Sequence, residues 1–289
     1  MEPRAAVRSH LYVPGDRPEL FARALQRGAD ALILDLEDAV AWPRKQRARE
    51  AVAEFVAGHA VSDDPTQLWV RVNAESWRDD VTAVVAPGLS GLCLAKTPGA
   101  AYVAAVAALL DQLEDARGLD VGAVALSPLL EDAAAVLAAP AIAAASRVAR
   151  LQVGEVDLAA DCGIEPGADG AELAWVRGQV VLASAAARIE APVGPVTTDF
   201  TDLDALRSST DALRRMGYGS RACIHPAQVT VVNDVFTPRP DEIDRAREIV
   251  DRFERAEQAG DGVLLDADGR MIDLAVVRNA RRVLARVGS

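Results

Sequence analysis

Eight short apolar runs recur along the 289-residue chain at intervals of roughly thirty residues, and that rhythm narrows the possible folds more than anything else in it. They are Ser9 to Val13, Ala31 to Leu34, Leu68 to Val72, Gly91 to Ala95, Ala123 to Pro128, Ala149 to Gly154, Val193 to Thr198 and Arg221 to Pro226. Each has strand length, and segments of helical periodicity lie between them: Arg44 to Phe55, Ala100 to Leu113, Glu172 to Arg188 and Asp202 to Met216. Parallel strands need long crossovers, and a helix is the usual one. Eight such repeats predict an α/β chain folded as a (β/α)₈ TIM barrel.

In such a barrel the strand ends carry the chemistry. Behind the runs stand Asp35, Glu37 and Asp38, then Arg71 and Asn73, Lys96, Glu131, Asp157, Asp199 and His225. Distant in sequence, these groups are expected to converge on one face. The first helix should open with a capping box, Asp16 with Glu19, and close at Gly28.

Beyond the eighth run the pattern changes. Pro238 and Pro240 interrupt the chain, Ile243, Ala246, Ile249, Val250 and Phe253 mark a long amphipathic helix, and Gly260 and Gly262 end it. Val263 to Leu265 and Met271 to Ile272 flank a turn sequence at Asp266 to Gly269, and a last helix should run from Leu274 to Arg286. A closed barrel does not need this part. The expected division is a catalytic barrel over 1–237 and a helical and hairpin extension over 238–289 that packs across a barrel mouth or on a neighbouring subunit.

Net charge is −12, and no basic run interleaved with aromatics occurs, so nucleic acid is not an expected partner. The longest apolar stretches, such as Ala100 to Leu110, are too short and alanine-rich to span a bilayer, and the first ten residues lack the apolar core of a secretory signal. No membrane association and a cytoplasmic location are expected. Three widely spaced cysteines, Cys93, Cys162 and Cys223, match no zinc spacing and read as packing residues.

The acids suggest the reaction. Glu131 and Asp157 would project from adjacent strand ends, and two carboxylates with room for water form a hard oxygen site suited to Mg²⁺. Arg71 could bind a carboxylate in bidentate fashion. Together they suggest a small oxo-acid held between a metal and a guanidinium. Singly, an acid behind a strand is more often a helix cap, and convergence is what favours a site. Asp35, Glu37 and Asp38 could begin a solvated loop, although three adjacent acids repel one another without a cation nearby. Lys96 is open to three roles: Schiff-base lysine, surface group, or ion-pair partner of those acids, the last preferred. His225 could simply be packed and bonded to backbone.

Several blocks carry a resemblance. Arg8-Ser9-His10-Leu11-Tyr12-Val13-Pro14-Gly15-Asp16 and Gly28-Ala29-Asp30-Ala31-Leu32-Ile33-Leu34-Asp35-Leu36-Glu37-Asp38-Ala39-Val40 resemble the opening of the citrate lyase β-subunit-like family, within the HpcH/HpaI aldolase and malyl-CoA lyase group. Arg71-Val72-Asn73, Lys96, Cys223-Ile224-His225-Pro226-Ala227-Gln228 and Gly269-Arg270-Met271-Ile272-Asp273 are similar to its later blocks, in the same order. The resemblance spans nearly the whole chain.

It implies a Mg²⁺-dependent carbon–carbon lyase, or the reverse Claisen-type condensation, acting on a citryl, malyl or citramalyl type of 3-hydroxyacyl thioester of CoA or an acyl carrier. It also implies a homo-oligomer, trimeric or hexameric. Carried over by position, Glu131 and Asp157 become the metal ligands, and Arg71, Glu131 and Arg8 the substrate contacts. Asp35, Glu37 and Arg71 join the catalytic set, and Asp273 becomes the catalytic base, which a neighbouring subunit supplies in several relatives. Arg17, Lys45 and Arg49 are the basic groups nearest the expected mouth, with Arg17 and Lys45 the candidates for the CoA pyrophosphate. Two departures stand out. Glu131 is followed by Asp132-Ala133-Ala134-Ala135 where relatives carry a small residue, arginine and glycine, and Gly154-Glu155-Val156-Asp157 moves the acid before Asp157 by one place. These changes keep alternatives open: a malyl-CoA-type thioesterase, a malate-synthase-like enzyme, or a non-catalytic subunit of a lyase complex.

Overall fold

The computed structural model describes residues 7–259 and 271–287. All eight runs form strands: β1 (Ser9–Pro14), β2 (Ala31–Asp35), β3 (Gln67–Val72), β4 (Leu89–Leu94), β5 (Ala125–Leu130), β6 (Gln152–Val153), β7 (Val193–Gly194) and β8 (Ser220–Cys223). Every neighbouring pair is parallel, β1 also pairs with β8, and the order β1 to β8 closes a barrel. The helices are α1 (Phe21–Leu25), α2 (Lys45–His59), α3 (Trp77–Val84), α4 (Ala100–Ala116), α5 (Ala133–Leu137), α6 (Ala139–Ala143), α7 (Glu155–Cys162), α8 (Ala174–Ala187), α9 (Leu203–Met216), α10 (Pro226–Phe236), α11 (Pro240–Ala259) and α12 (Leu274–Ala285).

Strand periodicity of two decides what fills the barrel. Ala31, Ile33, Trp69 and Cys93 form one buried cluster, with Tyr12, Ala125 and Ala149 packed on it. Trp69 dominates this layer. A β-carbon on Gly91 would sit 2.3 Å from a Trp69 ring carbon, so the glycine is the space into which the indole fits. Arg150 lies over the same indole, 5.0 Å from its centroid, and ion-pairs with Glu190 at 2.6 Å. One step further along the same face of β3 comes Arg71, which register sets directly opposite Asp35 of β2 and Cys93 of β4. The aromatic layer therefore lies one step before a charged one.

Strand edges moved where proline intervenes. Pro195 cannot donate to a ladder, and β7 ends at Gly194. Pro226 stands at the first position of α10, so β8 stops at Cys223. The Asp16–Glu19 capping box does not form. A 3₁₀ turn begins at Pro18, Glu19 instead accepts from Arg17, and Asp16 ion-pairs with Arg44 at 2.9 Å. Periodicity alone does not reveal α3, α5, α6 and α7, which have five to eight residues, or α10, which has eleven. Cys93 and Cys223 are buried as packing residues, but Cys162 is exposed.

The chain divides into two compact units, one of Val7–Asp234 and one that takes in the described residues from Val235 onward. In the second, α11 and α12 pack together, and Asp273 caps α12 by accepting from the Ala275 and Val276 amides at 2.8 and 2.9 Å. The expected turn at Asp266 to Gly269 lies outside the described residues, as do Gly260, Gly262 and Val263 to Leu265. Among the described residues no helix is long and apolar enough to cross a membrane.

Gly91→Ala tests the fit beneath the charged layer. Overpacking of a filled core costs about 1–3 kcal/mol, so the variant should unfold at lower urea concentration than the parent, and an unchanged midpoint would refute the packing account.

Candidate active site

Charge collects where β2, β3 and β4 end. Arg71 Nε and Nη2 donate to the two oxygens of Asp35 at 2.7 and 2.6 Å, and Nη1 lies 3.1 Å from Glu37 Oε2. Its guanidinium also covers the Tyr12 ring at 5.0 Å. Asp35 additionally accepts from the Glu37 and Ala39 amides, which fills all four acceptor positions of its carboxylate. Asp35 is 1 % exposed and serves to hold Arg71. Asp35, expected in the catalytic set, meets that set here through the arginine it positions. Lys96 Nζ donates to Glu37 Oε1 at 2.5 Å and lies 3.4 Å from Asp38 Oδ1, the ion pair preferred among its three sequence readings. Two of the five Arg71 N–H groups are thus hydrogen-bonded to Asp35, and Nη1 stands in ion-pair contact with Glu37.

Glu131, at the end of β5, is 5 % exposed. Its Oε2 accepts from the Lys96 amide at 2.7 Å, an N–H turned inward because Lys96 adopts a left-handed backbone with φ +47°. Gly154 lies beneath it: a β-carbon there would come within 2.5 Å of Glu131 Cγ. The next residues form the first turn of α7, so Asp157 sits on a helix rather than on a strand end. A cavity of about 180 Å³ gathers Arg71, Glu131 and Asp157, with Tyr12, Gln152 and Gly154 also in its wall.

This carboxylate is electrostatically uncomfortable. Burial pushes Glu131 up to about 7, and Glu37 and Asp157 push the same way against the Lys96 amide and Arg71. Lys96 has its ammonium on Glu37, where the ion pair holds its pKa above the ordinary value. Glu37 itself is raised, chiefly by burial, against Arg71 and Lys96. Glu131 is thus left beside a second acid with no ion-pair partner among the described residues. A divalent cation between Glu131 and Asp157 would relieve the strain, and all-oxygen ligands suit Mg²⁺. Among the described residues no three His, Cys, Asp or Glu side chains are grouped to hold a metal unaided. Ligand and water oxygens would complete its shell.

The other expected residues are dispersed. Arg8, expected as a substrate contact, precedes β1, at the opposite end of the strand from the cavity, and donates to Asp30 at 2.7 to 2.9 Å. Lys45 Nζ, expected at the CoA pyrophosphate, is held by the Leu36 and Glu37 carbonyls at 2.8 and 2.9 Å and braces the loop after β2. Arg49 pairs with buried Asp80 at 2.6 Å. Arg17 is exposed near the mouth beside Glu19, an ion pair that an incoming phosphate could displace cheaply. Asn73 binds Asp80, and Asp199 orders its own loop through Thr201. His225 stacks on Phe200 at 4.7 Å, and its Nδ1 accepts from the Ala227 amide. Asp273 belongs to the second unit, where it caps α12.

Three contributors escape residue-type reasoning. Tyr12 under Arg71, Gly154 under Glu131 and the Lys96 amide are backbone or shape features rather than charged side chains. Only Gly154 left a signal, as the glycine closing the sixth apolar run.

Residues 8–226 match the family model described as HpcH/HpaI aldolase/citrate lyase. The chain is 32% identical to the citrate lyase subunit beta of Leuconostoc mesenteroides subsp. cremoris, covering 96% of this chain and 92% of that one. It is 33% identical to a (3S)-malyl-CoA thioesterase of Cereibacter sphaeroides (strain ATCC 17029 / ATH 2.4.9), covering 96% and 94%. A crystal structure of protein CitE from Mycobacterium tuberculosis, in complex with magnesium, acetoacetate and coenzyme A, is similar with a TM-score of 0.78 and 30% identity, covering 99% of this chain and 100% of that one.

The raised Glu131 gives a pH test. In metal-free protein the folded carboxylate holds its proton up to about 7, against an ordinary 4.5. Between those values the native state binds more protons than the unfolded one, so this group's contribution to stability falls as pH rises. Glu131→Gln removes that slope. In chelator, its stability should exceed the parent's by more at pH 8 than at pH 5, and a pH-independent difference in urea denaturation would contradict the assignment.

Proposed function

This chain belongs to the HpcH/HpaI aldolase/citrate lyase family, and we propose that it makes or breaks the carbon–carbon bond of a 3-hydroxyacyl thioester of citryl, malyl or citramalyl type. CoA or an acyl carrier bears the thioester, and Mg²⁺ is the cofactor. The observation carrying this reading is the single cavity shared by Glu131, Asp157 and Arg71.

Glu131 and Asp157 would hold the ion, which when bound acts as a Lewis acid on the oxygen that alternates between hydroxyl and keto. Arg71, fixed by Asp35 and Glu37, would use N–H groups not bonded to Asp35 on the oxo-acid carboxylate, in an orientation set before the ligand arrives. Asp273 is assigned as the base, supplied by a neighbouring copy in a homo-oligomer; its Oδ1 caps α12, leaving Oδ2 for the proton. In cleavage the base takes the proton of the 3-hydroxyl, and the C2–C3 bond breaks with its electron pair going to the acetyl fragment. Protonation of the resulting enolate gives the acetyl thioester beside the oxo-acid. Synthesis is the reverse, with the same base taking a proton from the acetyl methyl.

The similarity to a thioesterase supports a second reading, in which the same residues direct water at the acyl carbon. A non-catalytic subunit is less well supported. Asp132, one of the altered residues after Glu131, caps α5 by accepting from Ala135, and none of Asp132 to Ala135 lines the cavity.

A panel of 3-hydroxyacyl-CoA esters, assayed with and without Mg²⁺ for oxo-acid and free thiol, separates the readings. Oxo-acid with acetyl-CoA, formed only with Mg²⁺ and lost in Glu131→Ala by at least about 100-fold, is the expected outcome. Free CoA with intact hydroxy acid would establish hydrolysis instead, and full activity of Glu131→Ala would remove the metal assignment.

A further inference from the structure

A second cavity, of about 610 Å³, opens between α7 and the stretch from Val196 through α9, and it meets the 180 Å³ cavity at Glu155, Val156 and Val196. Arg221 of β8 lines it while only 4 % exposed. Its Nε donates to the Pro195 carbonyl at 3.0 Å, and Nη1 donates to the Leu206 carbonyl and to the Ser209 and Thr210 hydroxyls at 3.3, 2.9 and 2.6 Å. Among the described residues Nη2 makes no hydrogen bond and the guanidinium makes no ion pair. Neutral acceptors alone thus face a full positive charge. Arg150, the other arginine buried to this degree among the described residues, pairs with Glu190 at 2.6 Å. Burial lowers the Arg221 pKa to about 10, which still leaves the group charged at neutral pH.

We infer that this second cavity binds the carboxylate of a small ligand, with Arg221 as its counter-charge. A buried charge without a counter-ion is costly, and an anion on Nη2 would offset that cost through charge-assisted hydrogen bonds. The wall favours one negative charge over two. Glu155 and Arg177, the wall groups whose charges act on Arg221, cancel each other as a two-point pair at 2.6 and 2.7 Å. Asp169, Asp199 and Asp202 are exposed, and each accepts a nearby backbone N–H. They repel a doubly charged phosphate about twice as strongly as a carboxylate. Thr197 and Thr198 add hydroxyls that can donate to a ligand oxygen. The carboxylate has two sources: the far end of a dicarboxylic oxo-acid whose 2-oxo end occupies the first cavity, or a separate small acid. Only the first depends on the reaction proposed above.

Calorimetric titration of the full chain with acetate and with inorganic phosphate, in chelator at pH 8 and constant ionic strength, tests this. Acetate affinity should fall at least about tenfold in Arg221→Gln, the loss expected when a charged hydrogen bond is removed. Ser209→Asp, from an exposed α9 position whose hydroxyl already meets Nη1, supplies the counter-charge from the chain itself. It should lower acetate affinity as much while raising the urea midpoint, which a misfolded variant would not do. With Mg²⁺ present, tighter binding of 2-oxoadipate than of pyruvate, lost in Ser209→Asp, would identify the substrate as the source of the carboxylate. Acetate binding that persists beside saturating pyruvate would identify a separate acid. Acetate affinity unchanged in both variants would overturn the inference and leave the oxo-acid reading standing. Phosphate binding tighter than acetate would overturn the choice of a singly charged ligand.

Discussion

The site depends on how one buried arginine is neutralised. Register sets Arg71 directly across from Asp35, and their two-point pair, with Glu37 on the third nitrogen, offsets the several kcal/mol that burying a guanidinium would otherwise cost. Lys96 then satisfies Glu37. Arg71 and Lys96 are thereby engaged by the acids at the end of β2 and in the loop after it. Glu131 receives only an amide N–H, and it shares its cavity with Asp157. The excess negative charge is localised on two carboxylates, which is the arrangement a hard divalent ion completes.

Packing keeps this charge arrangement rigid. Trp69 fills the layer next to Arg71 because Gly91 leaves room for it, and Glu131 reaches its position because Gly154 has no side chain. Tyr12 closes one side of the guanidinium while lining the cavity. A ligand therefore meets donors already oriented by protein contacts, the condition under which electrostatic stabilisation of a developing oxyanion is strongest.

Much of this could be read from the residues. The period of strand and helix gave the barrel, and strand-end chemistry marked Arg71, Lys96 and Glu131, because a parallel barrel sends every strand end to one face; Asp157, expected on a strand end, stands on α7. Charge type could not tell which acids face a ligand. Asp35 looked like a site acid and is a clamp; Lys45 looked like a phosphate ligand and braces two carbonyls. Arg8 belongs to the opening block of the resemblance yet lies at the other end of β1. Those distinctions depend on hydrogen bonds between residues 8 to 36 positions apart, which spacing does not encode. Local turns were also obscured, since Pro18 starts a 3₁₀ turn where Asp16 and Glu19 suggested a capped helix.

The most direct measurement is a Mn²⁺ titration followed by electron paramagnetic resonance, with Mn²⁺ standing in for Mg²⁺ at an oxygen site. The account predicts one bound ion per chain in the parent and in Glu155→Ala, whose carboxylate serves Arg177, and loss of that ion in Asp157→Asn and Glu131→Gln alike. Binding that survives both of the latter changes, or that disappears with Glu155→Ala alone, would contradict it.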